Sequence, residues 1–264
     1  MCEGVTWADL FPPSCVWGGG RFSVFFTGRT GETGTSYMSS TADGVHHAGP
    51  VRVVLSAPDM LCTVAASTSS EPPYVMMALL RVSGEYMPIL NFVDLDGRGA
   101  FDPGIVMEDT GYCSEVQVAS TGETAGAIWN DKYEEEMLFG VFDLAGNRLS
   151  LHDIPYEDIL GEHPDLFDSL VLPGEGMYHL LGRHYPGPGF AVLTLCSFDL
   201  AGVVVMEPRV ILDEFDVCCE VEAAWSGSAY GVAYTQIDEE GLFASLHFAV
   251  LDRDGERITD PVFL

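Results

Sequence analysis

Five times along this chain of 264 residues, an apolar strand pattern runs into an Asp and Gly turn, and this repeat constrains the fold more than any other feature. The turns read Ala42-Asp43-Gly44, Asp94-Leu95-Asp96-Gly97, Asp143-Leu144-Ala145-Gly146, Asp199-Leu200-Ala201-Gly202 and Asp252-Arg253-Asp254-Gly255. Their glycines lie 53, 49, 56 and 53 residues apart. The first and last copies also align earlier on: Val16-Trp17-Gly18-Gly19-Gly20-Arg21-Phe22 matches Ala224-Trp225-Ser226-Gly227-Ser228-Ala229-Tyr230. Cys15, Cys62, Cys113 and Cys218 are expected just before the first strand of four copies, where the fourth copy has Leu166-Phe167-Asp168.

Within each copy the apolar residues recur with period two, as in Phe22 to Phe26, Tyr74 to Leu80, Leu138 to Phe142, Phe190 to Leu195 and Leu246 to Leu251. That is the pattern of strands. Thr121-Gly122-Glu123, Pro173-Gly174-Glu175-Gly176 and Ser226-Gly227-Ser228 supply the conformational freedom that tight hairpins need. No window carries sustained helical periodicity, and Tyr156 to Leu166 amounts to one or two helical turns at most. Four antiparallel strands in about 50 residues, repeated without helices, define a propeller blade. The expected fold is therefore all-β, a five-bladed β-propeller of four-stranded blades, with one domain over 1–264 and repeats near 15–60, 61–111, 112–162, 163–216 and 217–264. A closed ring would hide strand edges. Pro261-Val262-Phe263-Leu264 is a candidate to complete a blade begun by the N-terminal segment, and a piece of a larger ring is the alternative.

Composition removes several functions. Forty Asp and Glu stand against 11 Lys and Arg, a formal net charge of −29, so phosphate neutralisation cannot drive binding to nucleic acid or an anionic membrane. At 47% hydrophobic the chain has enough apolar side chain to fold despite that charge. No apolar run reaches the ~18 residues of a membrane helix. Met1 to Trp7 has neither a basic segment nor an apolar one, so no secretory signal is visible. The seven cysteines form no CxxC or Cys/His pair at zinc spacing, and Cys218-Cys219 reads as two small strand residues.

The last copy, with its Ala224-Trp225-Ser226-Gly227 strand, Tyr230-Gly231-Val232-Ala233-Tyr234 strand and Leu246 to Gly255 strand and turn, resembles the degenerate propeller repeat of large secreted or envelope proteins of myxobacteria. That resemblance implies a propeller and a secreted or cell-envelope location. The first copy is similar to the opening blade of five-bladed glycoside hydrolases and phosphorylases, through Asp9, Phe25-Phe26-Thr27-Gly28 and Ser40-Thr41-Ala42-Asp43-Gly44. It departs from that pattern in an extra turn residue, His46-His47 in place of an aromatic, and no proline after Asp9.

Three groups of residues are candidates for chemistry. Asp94, Asp96 and Asp102 surround Gly97 and Gly99 with the oxygen ligands calcium prefers, although the same residues also satisfy the demands of a turn. Asp213 to Glu222 alternates acidic with apolar residues from Phe215 onward, which sets Asp216, Glu220 and Glu222 toward solvent. If they face the central channel, they would with Asp9 be the acid and base that glycoside hydrolysis requires; otherwise the stretch is a solvated linker and strand edge. Trp17 and Trp225 share a repeat position and would hold a sugar or peptide, or else pack between blades. Glu134-Glu135-Glu136 is expected in an exposed hairpin turn, and His46-His47, His163, His179 and His184 at turns or on the surface. No nucleophile elbow, P-loop or dinucleotide fingerprint is present.

The reading that follows is a monomeric, non-enzymatic recognition or scaffold propeller for a protein or carbohydrate ligand, needing no cofactor unless calcium binds. The alternative is a glycan-processing enzyme with Asp9, Glu220 and Glu222 in the central channel.

Overall fold

A computed structural model describes residues 6–7, 13–18, 20–30, 33–42, 51–58, 60–67, 73–82, 84–101, 104–107, 112–113, 115–131, 134, 136–155, 168–187, 190–216, 218–237 and 244–263. Its strands form five antiparallel sheets in chain order, the blade set of a five-bladed β-propeller. Blade one comprises β1 (Thr6–Trp7), β2 (Ser14–Gly18), β3 (Arg21–Thr30), β4 (Thr33–Thr41) and β5 (Arg52–Pro58). Both β1 and β2 pair with β3, Thr6 facing Arg29 and Ser14 facing Phe25, so the short β1 adds to the four-stranded plan. Blade two holds β6 (Met60–Ser67), β7 (Tyr74–Val82), β8 (Glu85–Val93) and β9 (Ile105–Val106). Blade three holds β10 (Val116–Ser120), β11 (Thr124–Asp131), β12 (Glu136–Asp143) and β13 (Arg148–Pro155). Blade four runs through β14 (Asp168–Pro173), β15 (Met177–Gly187), β16 (Phe190–Asp199) and β17 (Val204–Asp216). Blade five runs through β18 (Cys218–Trp225), β19 (Ala229–Ile237), β20 (Ala244–Asp252) and β21 (Arg257–Phe263). Tyr156 to Leu166, where a helical turn was expected, lies outside the described residues.

The chain divides into two compact units, Met1–Asp153 and Ile154–Leu264. In the first, β7 shows why these sequences are apolar at consecutive positions. Its Met76 and Ala78 pack with Phe25, Met38 and Leu55 of blade one, while Val75, Met77 and Leu79 pack with Val116, Val118 and Trp129 of blade three. A strand sends alternate side chains to opposite faces, and here both faces meet another blade. β11 carries this furthest, with every residue buried. In the second unit, Leu172, Leu181, Leu193 and Leu195 of blade four pack with Tyr230, Val232, Tyr234, Ala249 and Leu251 of blade five. Each fully buried large side chain contributes roughly 1.5–3 kcal/mol of hydrophobic stabilisation, so these inter-blade layers are the principal favourable term in each unit.

The repeated Asp and Gly turns are one structure used four times. In each, the Gly N–H donates to the carbonyl of the leading Asp, as Gly97 does to Asp94 and Gly146 to Asp143, at 3.0 Å in both. The Gly adopts positive φ, from +76° to +83° at 97, 146, 202 and 255, a region open to glycine and strained for other residues. The Asp carboxylate then accepts backbone N–H groups of its own turn. Asp199 Oδ1 accepts from Ala201 and Val203 at 2.9 and 2.8 Å, and Asp252 Oδ1 from Asp254 and Glu256 at 2.9 and 2.8 Å. The matching turn at Gly44 lies outside the described residues.

The C-terminal strand differs from its expected use. β21 pairs with β20 of its own blade, His247 facing Phe263 and Phe248 facing Val262. It completes blade five, because the preceding Asp252–Gly255 turn returns the chain directly alongside β20. The cysteines also shift relative to expectation: Cys15, Cys62 and Cys218 lie within the first strands of their blades, and Cys113 alone precedes its strand.

Candidate functional site

Blade topology sets where functional groups of the second unit gather. Because β18, β19, β20 and β21 run alternately up and down, the β18–β19 and β20–β21 turns lie at the same end of blade five, and the β14–β15 turn occupies the equivalent end of blade four. A pocket of about 230 Å³ opens there, lined by Glu175, Met177, His179, Trp225, Gly227, Ser228 and Arg253. Glu175 and Arg253 are exposed at its edge.

The pocket wall is aromatic and polar together. Trp225 lies 4.5 Å from the Tyr230 ring and 5.5 Å from the His179 ring, centroid to centroid, and the His179 and Tyr230 rings meet edge to face at 4.9 Å. His179 is 1% exposed, and its Nδ1 is 2.7 Å from Ser197 Oγ on the neighbouring strand. Its Nε2 is buried with no hydrogen-bond partner among the described residues. A methyl group on Gly174 would collide with that Nε2, so the absence of a side chain at 174 makes room for the imidazole. Burial, aided by the Arg253 charge, depresses the His179 pKa to about 4, and the ring is neutral at physiological pH. The Tyr230 hydroxyl is likewise buried without a partner, and burial together with the Asp254 charge raises its pKa.

His179 corrects the expectation of a turn or surface histidine. It sits near the start of β15, paired with Leu172 and Ser197 in the sheet, and is buried there. His46, His47 and His163 lie outside the described residues, as does the side chain of His184.

The residues expected to carry chemistry fall in different places. Trp225 is half-buried against the blade-four and blade-five layer and lines the pocket, whereas Trp17 is 50% exposed in the first unit, edge to face with Phe22 at 4.6 Å. Glu222 is exposed on β18 opposite Ala233, on the face away from Val221, Ala223 and Trp225, which pack into the layer. Glu220 lies in β18 where the register shifts between Cys218 and Val221, so strict alternation does not carry from Glu222 to it, and its side chain lies outside the described residues. Asp9 and Asp102 also lie outside them. Asp94 and Asp96 are exposed, and Asp94 Oδ1 accepts the N–H groups of Asp96 and Arg98 at 2.8 and 2.9 Å. The same turn forms around Asp199, where Ala201 replaces the second acid, so its geometry requires no ion. Glu134 is exposed in the β11–β12 turn, and Glu136 already belongs to β12.

Sequence reasoning missed His179, Tyr230, Glu175 and Arg253. The only signal in the sequence was their adjacency to turns repeated at matching positions, Pro173 to Gly176, Ser226 to Ser228 and Asp252 to Gly255.

No family model matches this sequence, and no curated protein matches it. Solved structures do match in fold. A GH43 endo-arabinanase from Bacillus licheniformis aligns with a TM-score of 0.51 and 11% identity over 94% of this chain and 96% of its own. A thermostable family-43 glycoside hydrolase aligns at 0.51 and 12% identity over 97% and 93%. A subtype N11 neuraminidase-like protein of A/flat-faced bat/Peru/033/2010 (H18N11) aligns at 0.56 and 10% identity over 96% and 71%. The two family-43 likenesses support the five-bladed fold. They also correct the expectation of a non-enzymatic recognition or scaffold module, since the GH43 neighbours that share this fold are glycoside hydrolases. Nothing found in the comparisons supports identity with the myxobacterial repeat proteins.

Proposed function

We propose that this protein processes glycans, cleaving or transferring at a glycosidic bond with carboxylates drawn from Asp9, Glu220 and Glu222. The reading is supported most by a likeness in fold to a GH43 endo-arabinanase that spans 94% of this chain and 96% of that one. Glu222 is suited to it chemically, as an exposed carboxylate on the first strand of a blade. Cleavage needs one carboxyl group to protonate the departing oxygen and a second to activate water or attack the sugar from the other face. A secreted or cell-envelope location goes with polymeric substrates and is part of the same proposal. Calcium at Asp94, Asp96 and Asp102 is a separate proposal, tested by the melting temperature with calcium and with chelator.

Incubation of the purified protein with arabinan, xylan and other neutral polysaccharides, followed by measurement of released reducing ends, tests the reading. Product release from at least one polymer is expected, with a loss of about 100-fold or more in Asp9→Asn, Glu220→Gln or Glu222→Gln, the range typical for removal of an acid or base. Absence of product from every polymer, or full activity in all three variants, overturns it.

A further inference from the structure

We propose that the pocket at the turn ends of β14–β15, β18–β19 and β20–β21 holds one neutral sugar unit of a glycan, at a site separate from Glu220 and Glu222. The inference rests on the glycan reading for its ligand class and on the pocket's own chemistry for its place.

Three features of the pocket fit a sugar. Trp225 presents an indole held in place by Tyr230 and His179 behind it, and a fixed aromatic face packs against the C–H face of a pyranose or furanose. His179, which lines the pocket, carries a buried Nε2 without a hydrogen-bond partner among the described residues, and the Tyr230 ring meets it edge to face. Such groups are uncommon in folded proteins and call for a reason. Ser197 occupies Nδ1 and Gly174 lies against Nε2, so the neutral imidazole is a fixed, uncharged part of the pocket lining. At the edge Glu175 offers acceptors and Arg253 offers donors, one charge of each sign. A polyol uses both, whereas an anionic ligand would meet Glu175 and a chain of net charge −29. Small-molecule sites usually measure about 300–1,000 Å³. At about 230 Å³ this one suits a single unit.

The site lies apart from the candidate carboxylates along β18. Trp225 follows Glu222 by three residues and Glu220 by five, which at ~3.3 Å per residue separates them by roughly 10 and 17 Å along the strand. A chain held at the pocket would therefore contact the protein away from the bond being cleaved.

Calorimetric titration with arabinotriose, xylotriose and trigalacturonate, on the full chain, tests the site. At least one neutral trisaccharide is expected to bind, with Trp225→Ala weakening it by about tenfold or more, equivalent to ~1.4 kcal/mol. Because Trp225 also packs against the core, Arg253→Ala and Glu175→Gln are the second pair. Each is expected to weaken binding several-fold while the melting temperature stays within about 2 °C. Equal affinity in the wild type and all three variants, binding of trigalacturonate alone, or no binding at all overturns the site. Binding lost in the variants of a protein that releases no product from any polymer overturns the enzymatic reading alone. Product release with trisaccharide binding unaltered in the variants overturns the pocket alone.

Discussion

His179 and Ser197 face each other as partners across β15 and β16, with Nδ1 and Oγ 2.7 Å apart, and this pair fixes a buried imidazole whose second nitrogen has no partner among the described residues. The folded protein therefore disfavours the protonated ring. With a pKa of about 4 against the ordinary 6.5, the unfolded chain binds the extra proton first. Stability is unaffected by this group above pH 6.5, falls as pH drops below it, and levels off near pH 4, the whole effect being on the order of 3 kcal/mol. Denaturant unfolding from pH 4 to 7.5 should show this slope in the wild type and a shallower one in His179→Gln. An equal slope in both proteins would refute the assignment.

Tyr230 carries the same kind of imperfection, a buried hydroxyl without a partner among the described residues. Tyr230→Phe removes a group whose burial costs roughly 1–3 kcal/mol and should leave stability equal or raised by about 1 kcal/mol. A clear loss in denaturant unfolding would mean that the hydroxyl has a partner in solution.

The turn aspartates act as acceptors for their own backbone. Asp199→Ala frees two N–H groups, those of Ala201 and Val203, and should cost about 1 kcal/mol. The cost should be the same in calcium and in chelator. A calcium-dependent cost would point to an ion at this turn.

Two glycines with the same backbone sign should respond differently. Gly20 has φ of +74° and open space around it, so Gly20→Ala should cost only the conformational penalty of about 1–2 kcal/mol. Gly146 has φ of +83°, and a methyl there would meet Phe101 and Ile105 at 2.6 Å. Gly146→Ala should cost more than Gly20→Ala by at least about 1 kcal/mol, the usual cost of overpacking. Equal unfolding midpoints in the two variants would contradict the contact.

The tryptophans separate along similar lines. Trp129 is 1% exposed inside the layer between blades two and three, and Trp129→Ala should cost about 3–5 kcal/mol. Trp17 is 50% exposed and should cost far less, although it holds the same position in its repeat as Trp225 does in the last. Thermal unfolding of the two variants orders them, and a larger loss at Trp17 would mean that its surface is covered.

The blades were legible because their turns are governed by local chemistry. An Asp that accepts its own turn's N–H groups and a Gly at positive φ recur at Asp94 and Gly97, Asp143 and Gly146, Asp199 and Gly202, and Asp252 and Gly255, and they mark each blade whatever packs around it. The pocket was not legible, because alternation loses its meaning where both faces of a strand are covered. Tyr178, His179 and Leu180 are all buried, so nothing in their order separates a core position from a site position. The approach of Gly174 to His179 links two strands through a turn and has no counterpart in the spacing of either. The acidic run to Glu222 was read as simple alternation, and the register shift between Cys218 and Val221 interrupts it.

β21 pairs with the strand just before it, and every described sheet is built from one continuous stretch of chain. A blade here is thus an inheritable cassette: a gene segment of one repeat can be duplicated, lost or exchanged without stranding half a sheet elsewhere. Its hydrogen-bonded pairing is complete within its own residues, while its apolar faces still need a neighbouring blade to cover them.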